Sequence, residues 1–175
     1  MSVTEEEQYD AVIIGAGFSG IHQLVHLRKL GLHCKVIEAG SDFGGTWYWN
    51  RYPGARVDSH IPIYELALPE LWKEWTWTEK FPGWEELQAY VSINRSSGWW
   101  GTDIFVRMDS YFAYVGDKLD LRSHCQFDTV VKQAHWDDQL HLWHVTAEGK
   151  GGFYKAAARY LILCTVRESS ATRPT

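Results

Sequence analysis

The feature that most constrains the fold of this chain is a glycine triplet between an apolar run and an amphipathic run. Gly15, Gly17 and Gly20 have the spacing GxGxxG. The apolar run from Tyr9 to Ile14 has the length of a buried strand, and the run IHQLVHLRKL after the glycines is apolar on a helical period. A second strand-like run extends from Leu32 to Ala39. The pattern predicts a βαβ unit of about thirty residues.

The same segment carries a candidate dinucleotide site. In such a turn the first glycine permits the tight bend, the second allows backbone to approach a pyrophosphate, and the third lets the helix pack on the strand. The helix N-terminus at Phe18 and Ser19 would offer N–H groups to the phosphates. Glu38 ends the second strand, where its carboxylate can accept both hydroxyls of a ribose and would repel a 2′-phosphate. The pattern favours FAD or NAD over NADP; the alternative is an ordinary turn and a surface glutamate.

A dense segment of aromatic residues and glycines follows the second strand. It reads GGTWYWNRYPGARVDS, from Gly44 to Ser59. Glycines allow backbone to approach a bulky flat ring closely, and tryptophan and tyrosine side chains exclude water around it. Arg56 and Asp58 would supply opposite charges near a redox centre. The alternative is a loop of core aromatics, because tryptophan is mostly buried in any globular protein.

The rest of the chain predicts short helices and a meander. Helices are expected over Pro69 to Trp77, from near Gly83, and over FAYVGDKLDL. A three-stranded meander follows, and its last strand, ARYLILC, should return to the parallel sheet as a buried centre with little cover. The predicted fold class is α/β: a Rossmann-like FAD-binding βαβ unit with a loop-rich helical segment and a β-meander, forming a single partial domain over residues 1–175.

Composition excludes several classes of protein. A net charge of −5 argues against nucleic acid or an anionic membrane as the main partner. No apolar run approaches the roughly 20 residues of a transmembrane helix, and the acidic start lacks the basic head of a secretory signal. Cys34, Cys125 and Cys164 are odd in number and widely spaced, so we expect a reduced, cytoplasmic protein without disulfides. His22 and His26 lack a third ligand in the pattern, and no metal site is predicted.

The aromatic segment resembles a fingerprint of flavin-containing monooxygenases of the Baeyer–Villiger type. The fingerprint [A/G]GxWxxxx[F/Y]P[G/M]xxxD is matched at Gly45, Trp47, Tyr52, Pro53, Gly54 and Asp58. The runs GGTWYWNRYPGARVDSHIPIYE and PELWKEWTWTEKFPGWEELQAY are similar to fungal members of the family that act in secondary metabolism. The resemblance extends from Tyr9 to Thr165, apart from an interior stretch, and concerns the N-terminal, FAD-binding portion of the family.

The resemblance implies FAD as the cofactor, NADPH as the co-substrate and a small-molecule ketone as the substrate, into which an oxygen atom from O₂ is inserted. The pyrophosphate would lie at the glycine triplet, the adenosine ribose at Glu38, and the flavin near Tyr64. The loop from Arg56 to Asp58 would face the nicotinamide and serve catalysis, with Asp58 positioning a catalytic arginine. The implied FAD-binding residues are Gly15, Gly17, Phe18, Ser19, Gly20, Glu38, Gly45, Thr46, Trp47, Trp49, Asp58, Ser59 and Tyr64.

The sequence departs from the family in two places. Residues 91–111 form an atypical insertion, and residues 166–175 form a tail unlike the family, in place of a second dinucleotide domain and a substrate domain. We hypothesise that both are unspliced introns, because Val91-Ser92 and Val166-Arg167 can each be encoded by a splice-donor sequence; a genuine insertion with natural truncation is the alternative. A chain truncated in this way should bind FAD weakly and show no turnover.

Three other functions remain open at this level. One is N- or S-oxygenation, as in other flavin monooxygenases, although the fingerprint from Trp47 to Asp58 argues against it. The chain would alternatively be a non-catalytic FAD-binding module completed by another polypeptide, or a plain NAD-dependent reductase. The sequence does not determine the oligomeric state.

Overall fold

The computed structural model describes residues 6–88 and 111–165. Short helices and loops separate an initial strand–helix–strand unit from a strand-rich second half. In chain order, the elements are β1 (Glu7–Ile14), α1 (Phe18–Lys29), β2 (Cys34–Ile37), α2 (Thr46–Trp49), α3 (Pro69–Trp72), α4 (Trp84–Gln88), α5 (Tyr111–Lys118), a 3-10 turn (Arg122–His124), β3 (Cys125–Gln126), β4 (Thr129–Asp137), β5 (Leu142–Gly149) and β6 (Gly152–Leu163).

The six strands of the described residues form a mixed sheet, with the order β3-β2-β1-β6-β5-β4. The first four in that order run parallel to one another, whereas β6, β5 and β4 pair antiparallel. The predicted βαβ unit and the predicted return of the last strand to the parallel sheet are both confirmed. The sheet therefore has a parallel half, where α1 connects β1 to β2, and a meander half joined to it through β6.

The central strand β1 is buried on both faces. Ala11, Val12 and Ile13 are all fully buried. Because side chains alternate across a strand, Ala11 and Ile13 pack in the cluster that contains α1, whereas Val12 packs with residues of β5 and β6 on the other face. Burial on both faces explains why β1 is continuously apolar from Ala11 to Ile14 rather than alternating.

The long strand β6 serves both halves of the sheet. Its first part pairs with β5 as far as Ala158, opposite Trp143, while its pairing with β1 continues to Leu163, opposite Ile14. The end of β6 has little cover on the described residues, as predicted, but it is not the buried centre that was expected: Tyr160 and Leu163 are 53% and 68% exposed, because no described helix packs over them.

Some predicted boundaries differ from the structure. The helix expected over Pro69 to Trp77 ends at Trp72. The ring of Trp77 instead packs against Tyr111, with centroids 4.7 Å apart, and its indole N–H donates to Glu65 at 2.8 Å. These contacts are made by residues far apart in sequence, and they hold a tryptophan-rich segment of low helix propensity outside the helix.

The predicted insertion and tail lie almost wholly outside the described residues. Residues 91–110 and 166–175 are not described, and both assignments stay predictions. The last residue of the predicted insertion, Tyr111, begins α5 and is fully buried. Its hydroxyl accepts a hydrogen bond from the backbone N–H of Leu66 at 2.8 Å, so α5 is fastened to the loop segment that follows α2.

Candidate dinucleotide-binding site

The glycine triplet forms the bend between β1 and α1. Gly15 has a φ of 102°, a left-handed conformation that favours glycine, and a Cβ there would lie 2.7 Å from the carbonyl oxygen of Cys164. A Cβ on Gly20 would lie 1.9 Å from the carbonyl oxygen of Gly15. The first and third glycines therefore perform the two tasks predicted from their spacing: the tight bend and the close packing of helix on strand.

The second glycine makes a contact that its spacing does not reveal. Gly17 faces Gly45, and a Cβ on Gly45 would lie 2.9 Å from the Cα of Gly17. Gly45 has a φ of 53° and a ψ of −120°, and the neighbouring Gly44 N–H donates to the carbonyl of Ala16 at 3.0 Å. The backbone at the start of α2 is thereby seated directly on the β1–α1 bend, which brings the aromatic segment beside the N-terminus of α1.

Glu38 lies at the end of β2 and is 5% exposed. Its Oε2 accepts a hydrogen bond from the N–H of Ala16 at 2.7 Å, and its Oε1 accepts one from the N–H of Gly40 at 2.6 Å. Each carboxylate oxygen can accept more than one hydrogen bond. The buried acid is therefore held rigidly against the bend and keeps acceptor capacity toward the cavity that it lines.

Aromatic side chains from α1, α2 and the loop that follows α2 also line the site. Trp47 is buried, and its indole N–H donates to the hydroxyl of Tyr64 at 2.9 Å. Phe18 meets the Tyr64 ring edge to face at 5.3 Å. Burial raises the pKa of Tyr64, the charge of Asp58 raises it further, and the bond from Trp47 opposes both. The Tyr64 hydroxyl is thus a neutral group fixed by Trp47.

These elements enclose a cavity of about 440 Å³ at the carboxyl ends of the parallel strands. The predicted site residues that line it are Gly15, Gly17, Phe18, Ser19, Glu38, Gly45, Thr46, Trp47, Trp49 and Tyr64. Gly20 does not line the cavity but packs beneath the bend, as its predicted role in helix packing requires. A cleft at the ends of parallel strands, bordered by a glycine bend and a helix N-terminus, is the common location of dinucleotides in α/β proteins.

Besides Gly20, three other predicted site residues, Arg56, Asp58 and Ser59, lie outside the cavity lining. Arg56 forms an ion pair with Glu79 and donates to the carbonyl of Phe81 at 2.7 Å. Asp58 is exposed and accepts a hydrogen bond from Ser59 at 3.3 Å. Of the three, Asp58 is electrostatically linked to the site through Tyr64. The catalytic assignments of Arg56 and Asp58, and the binding assignment of Ser59, stay predictions.

The cavity also has lining residues that the sequence reasoning missed. Val130 and Val131 of β4 lie near Glu38, because the N–H of Thr129 donates to the Glu38 carbonyl at 2.9 Å. No sequence signal links β4 to β2. Cys164, which follows β6, also lines the cavity. Burial raises the pKa of the Cys164 thiol.

Three further findings concern the described part of the chain alone. Residues 6–88 and 111–165 contain no group of three or more His, Cys, Asp or Glu side chains placed to hold a metal ion. Within the same ranges, no helix has the length and apolar character to cross a bilayer. Cys34, Cys125 and Cys164 are all free thiols.

Comparison with known proteins finds a matching domain family and similar monooxygenases. The NAD(P)-binding Rossmann-like domain family matches residues 13–75. The chain is 39% identical to cyclopentanone 1,2-monooxygenase of Comamonas sp. over 85% of this chain and 23% of that enzyme. It is 42% identical to the FAD-binding monooxygenase acrE of Aspergillus aculeatus over 85% of this chain and 22% of the relative.

The fold agrees with the sequence matches. The structure of an oxidized steroid monooxygenase bound to NADP superposes with a TM-score of 0.77 and 34% identity, over 96% of this chain and 28% of that one. The chain thus spans about a quarter of the length of the relatives that it matches. In both sequence and fold, this chain is therefore similar to one portion of the Baeyer–Villiger-type, FAD-binding monooxygenases.

Proposed function

We propose that this chain forms the FAD-binding part of a Baeyer–Villiger-type monooxygenase. The observation that carries the proposal is the cavity itself, whose lining includes the buried carboxylate of Glu38, the glycine bend and the aromatic residues of α2. The bend contacts both of the others, because the Ala16 N–H donates to Glu38 and Gly17 packs against Gly45 at the start of α2. That order of groups matches the order of ribose, pyrophosphate and ring along FAD. Relatives named as FAD-binding monooxygenases support the same cofactor.

The residues fit FAD group by group. The N-terminus of α1, at Phe18 and Ser19, would receive the pyrophosphate, because helix N-termini stabilise negative charge. Glu38 would accept the hydroxyls of the adenosine ribose, and Val130 and Val131 would provide apolar contact for the adenine. Gly45, Thr46, Trp47 and Trp49 would line the ring end, together with Tyr64.

When bound, FAD would supply the redox chemistry, and the protein residues would orient it and exclude water. The proposed reaction uses NADPH and O₂ to insert oxygen into a ketone, and one relative is named as a monooxygenase of a ketone, cyclopentanone. Arg56 and Asp58 are the proposed catalytic residues on this part of the protein, with Asp58 acting near the flavin end through its proximity to Tyr64. Tyr64 would keep its proton and donate a hydrogen bond.

The biological setting is also a proposal. Relatives such as acrE of Aspergillus aculeatus favour a role in fungal secondary metabolism. Three free thiols fit a reducing compartment such as the cytoplasm.

Flavin fluorescence tests the proposal. The chain is titrated into FAD, and binding should quench flavin emission because Trp47 and Trp49 lie at the ring end of the cavity. Glu38→Arg should abolish the quenching, since it removes the ribose acceptor and places a bulky cation in a buried position. Glu70→Arg is the control, because Glu70 pairs at 2.8 Å with Lys29, at the opposite end of α1 from the glycine bend. Wild-type protein that fails to quench FAD, or Glu38→Arg that quenches normally, would contradict the assignment.

A further inference from the structure

Tyr48 occupies the middle of α2 but does not line the cavity, unlike its neighbours Trp47 and Trp49. Its ring lies instead over Gly40. A Cβ on Gly40 would lie 2.8 Å from Cε1 of that ring. Since Gly40 does not adopt a positive φ, the backbone does not require glycine there. The glycine makes room for the Tyr48 ring.

The hydroxyl of Tyr48 is anchored to the same segment. It accepts a hydrogen bond from the N–H of Ser41 at 3.1 Å and shares another with Ser41 Oγ at 2.8 Å. These bonds from Ser41 lower the pKa of Tyr48. Arg51 holds the ring from the α2 side: its guanidinium lies 4.6 Å from the ring centroid, and its Nε donates to the Tyr48 carbonyl at 2.7 Å.

The contact of Tyr48 with Gly40 and Ser41 joins α2 to the segment that follows Glu38. Gly40 lies between Tyr48 and Glu38, since the Gly40 N–H is the donor to Glu38 Oε1 at 2.6 Å. A continuous path therefore runs from the buried acid, through residues 40 and 41, to the helix that carries Trp47. The acid has its own second anchor, the N–H of Ala16 at 2.7 Å, which does not depend on Tyr48.

We propose that Tyr48 is a positioning residue that fixes α2 to the acid-bearing end of β2, so that the ring end and the adenosine end of FAD are bound as a unit. The inference rests on the proposed function. Tyr48 acts through Ser41 and Gly40 and makes no contact with the ligand. Its loss should therefore weaken the binding of a ligand that spans both ends more than the binding of a ligand that occupies the adenosine end alone.

The test compares FAD with ADP, which lacks the flavin end. Tyr48→Phe keeps the ring over Gly40 and removes the bonds to Ser41. The Kd for FAD should rise about three- to tenfold, the range expected for the loss of one or two exposed hydrogen bonds. The Kd for ADP, measured by competition or calorimetry, should change by less than about twofold because Glu38 keeps both backbone donors. Ser41→Ala should raise the FAD Kd less, and combining it with Tyr48→Phe should add little.

Tyr160→Phe is the matched control, because Tyr160 is a 53% exposed tyrosine on β6; its affinities should equal those of the wild type. A selective loss of FAD affinity in Tyr48→Phe supports the inference. Unchanged FAD affinity overturns it, as does an equal loss for FAD and ADP with a lowered Tm, which is the signature of a merely structural role. Wild-type protein that binds ADP but not FAD overturns the proposed function itself, and the inference with it.

Discussion

Glu38→Gln, studied without FAD, measures how much the buried carboxylate stabilises the fold, separately from any role in binding a ligand. The carboxylate accepts hydrogen bonds from the N–H groups of Ala16 and Gly40, at 2.7 and 2.6 Å. A glutamine has almost the same shape, but its amide presents an oxygen and an NH₂ group. Whichever way the amide turns, a backbone N–H then faces another donor and loses its acceptor in a site that is 5% exposed.

The expected cost follows from these two bonds. Hydrogen bonds to a charged group contribute about 1.5–3 kcal/mol, and an unsatisfied buried donor costs about 1–3 kcal/mol. We therefore expect Glu38→Gln to lower the free energy of unfolding by about 2–3 kcal/mol. For a chain of this length, that corresponds to a Tm lower by about 4–12 °C.

Thermal unfolding followed by circular dichroism, in the absence of FAD, measures the effect independently of cofactor binding. Glu148→Gln provides the control, because the exposed pair of Glu148 with Lys132 at 3.4 Å should contribute less than about 1 kcal/mol. If the Tm of Glu38→Gln fell within about 1 °C of that control, the two short hydrogen bonds would not hold the acid as the structure indicates.

Two further predictions concern a glycine and a thiol. Gly20→Ala should lower the free energy of unfolding in urea by about 3 kcal/mol or more, because its Cβ would lie 1.9 Å from a backbone oxygen that cannot move aside. Gly31→Ala, at a φ of 79° with no described heavy atom within 4 Å of its Cβ, should cost only about 1 kcal/mol; equal costs would refute the steric argument. Burial raises the pKa of Cys125 from its usual 9.0 to about 12. Above pH 9 the unfolded chain therefore releases a proton that the folded chain keeps. The free energy of unfolding should fall by about 1.4 kcal/mol at pH 10 as a result. Cys125→Ala should lose that part of the pH dependence in urea titrations between pH 8 and 10, and parallel profiles for the two proteins would contradict the assignment.

Local sequence patterns predict much of the fold. The β1–α1–β2 unit was predictable because glycine spacing, apolar period and strand length all concern residues close together in sequence. Gly15 and Gly20 perform their predicted tasks for the same reason: their neighbours are the bend itself and the strand beside it. By contrast, the helix from Pro69 was predicted too long, because the contacts of Trp77 with Tyr111 and Glu65 lie outside any local window.

The candidate site is likewise predictable only where its features depend on residues close together in sequence. Glu38 and the aromatic segment were recognisable from position and composition, but their partners were not. The packing of Gly17 against Gly45 and the arrival of Val130 beside Glu38 depend on how β4 and α2 meet the bend. The positions of Arg56 and Asp58 outside the cavity lining likewise follow from the path of a loop that carries no periodic signal.

By itself, the sequence determined that a glycine bend joins a buried strand to a helix, that an acid ends the next strand, and that an aromatic segment follows, because backbone sterics and side-chain periodicity act between near neighbours. Only the tertiary structure decided that Tyr48 lies over Gly40 rather than in the cavity, and that Cys164 and Val131 close its walls. Those arrangements depend on which surfaces pack together once the chain is compact, and packing is a property of residues distant in sequence.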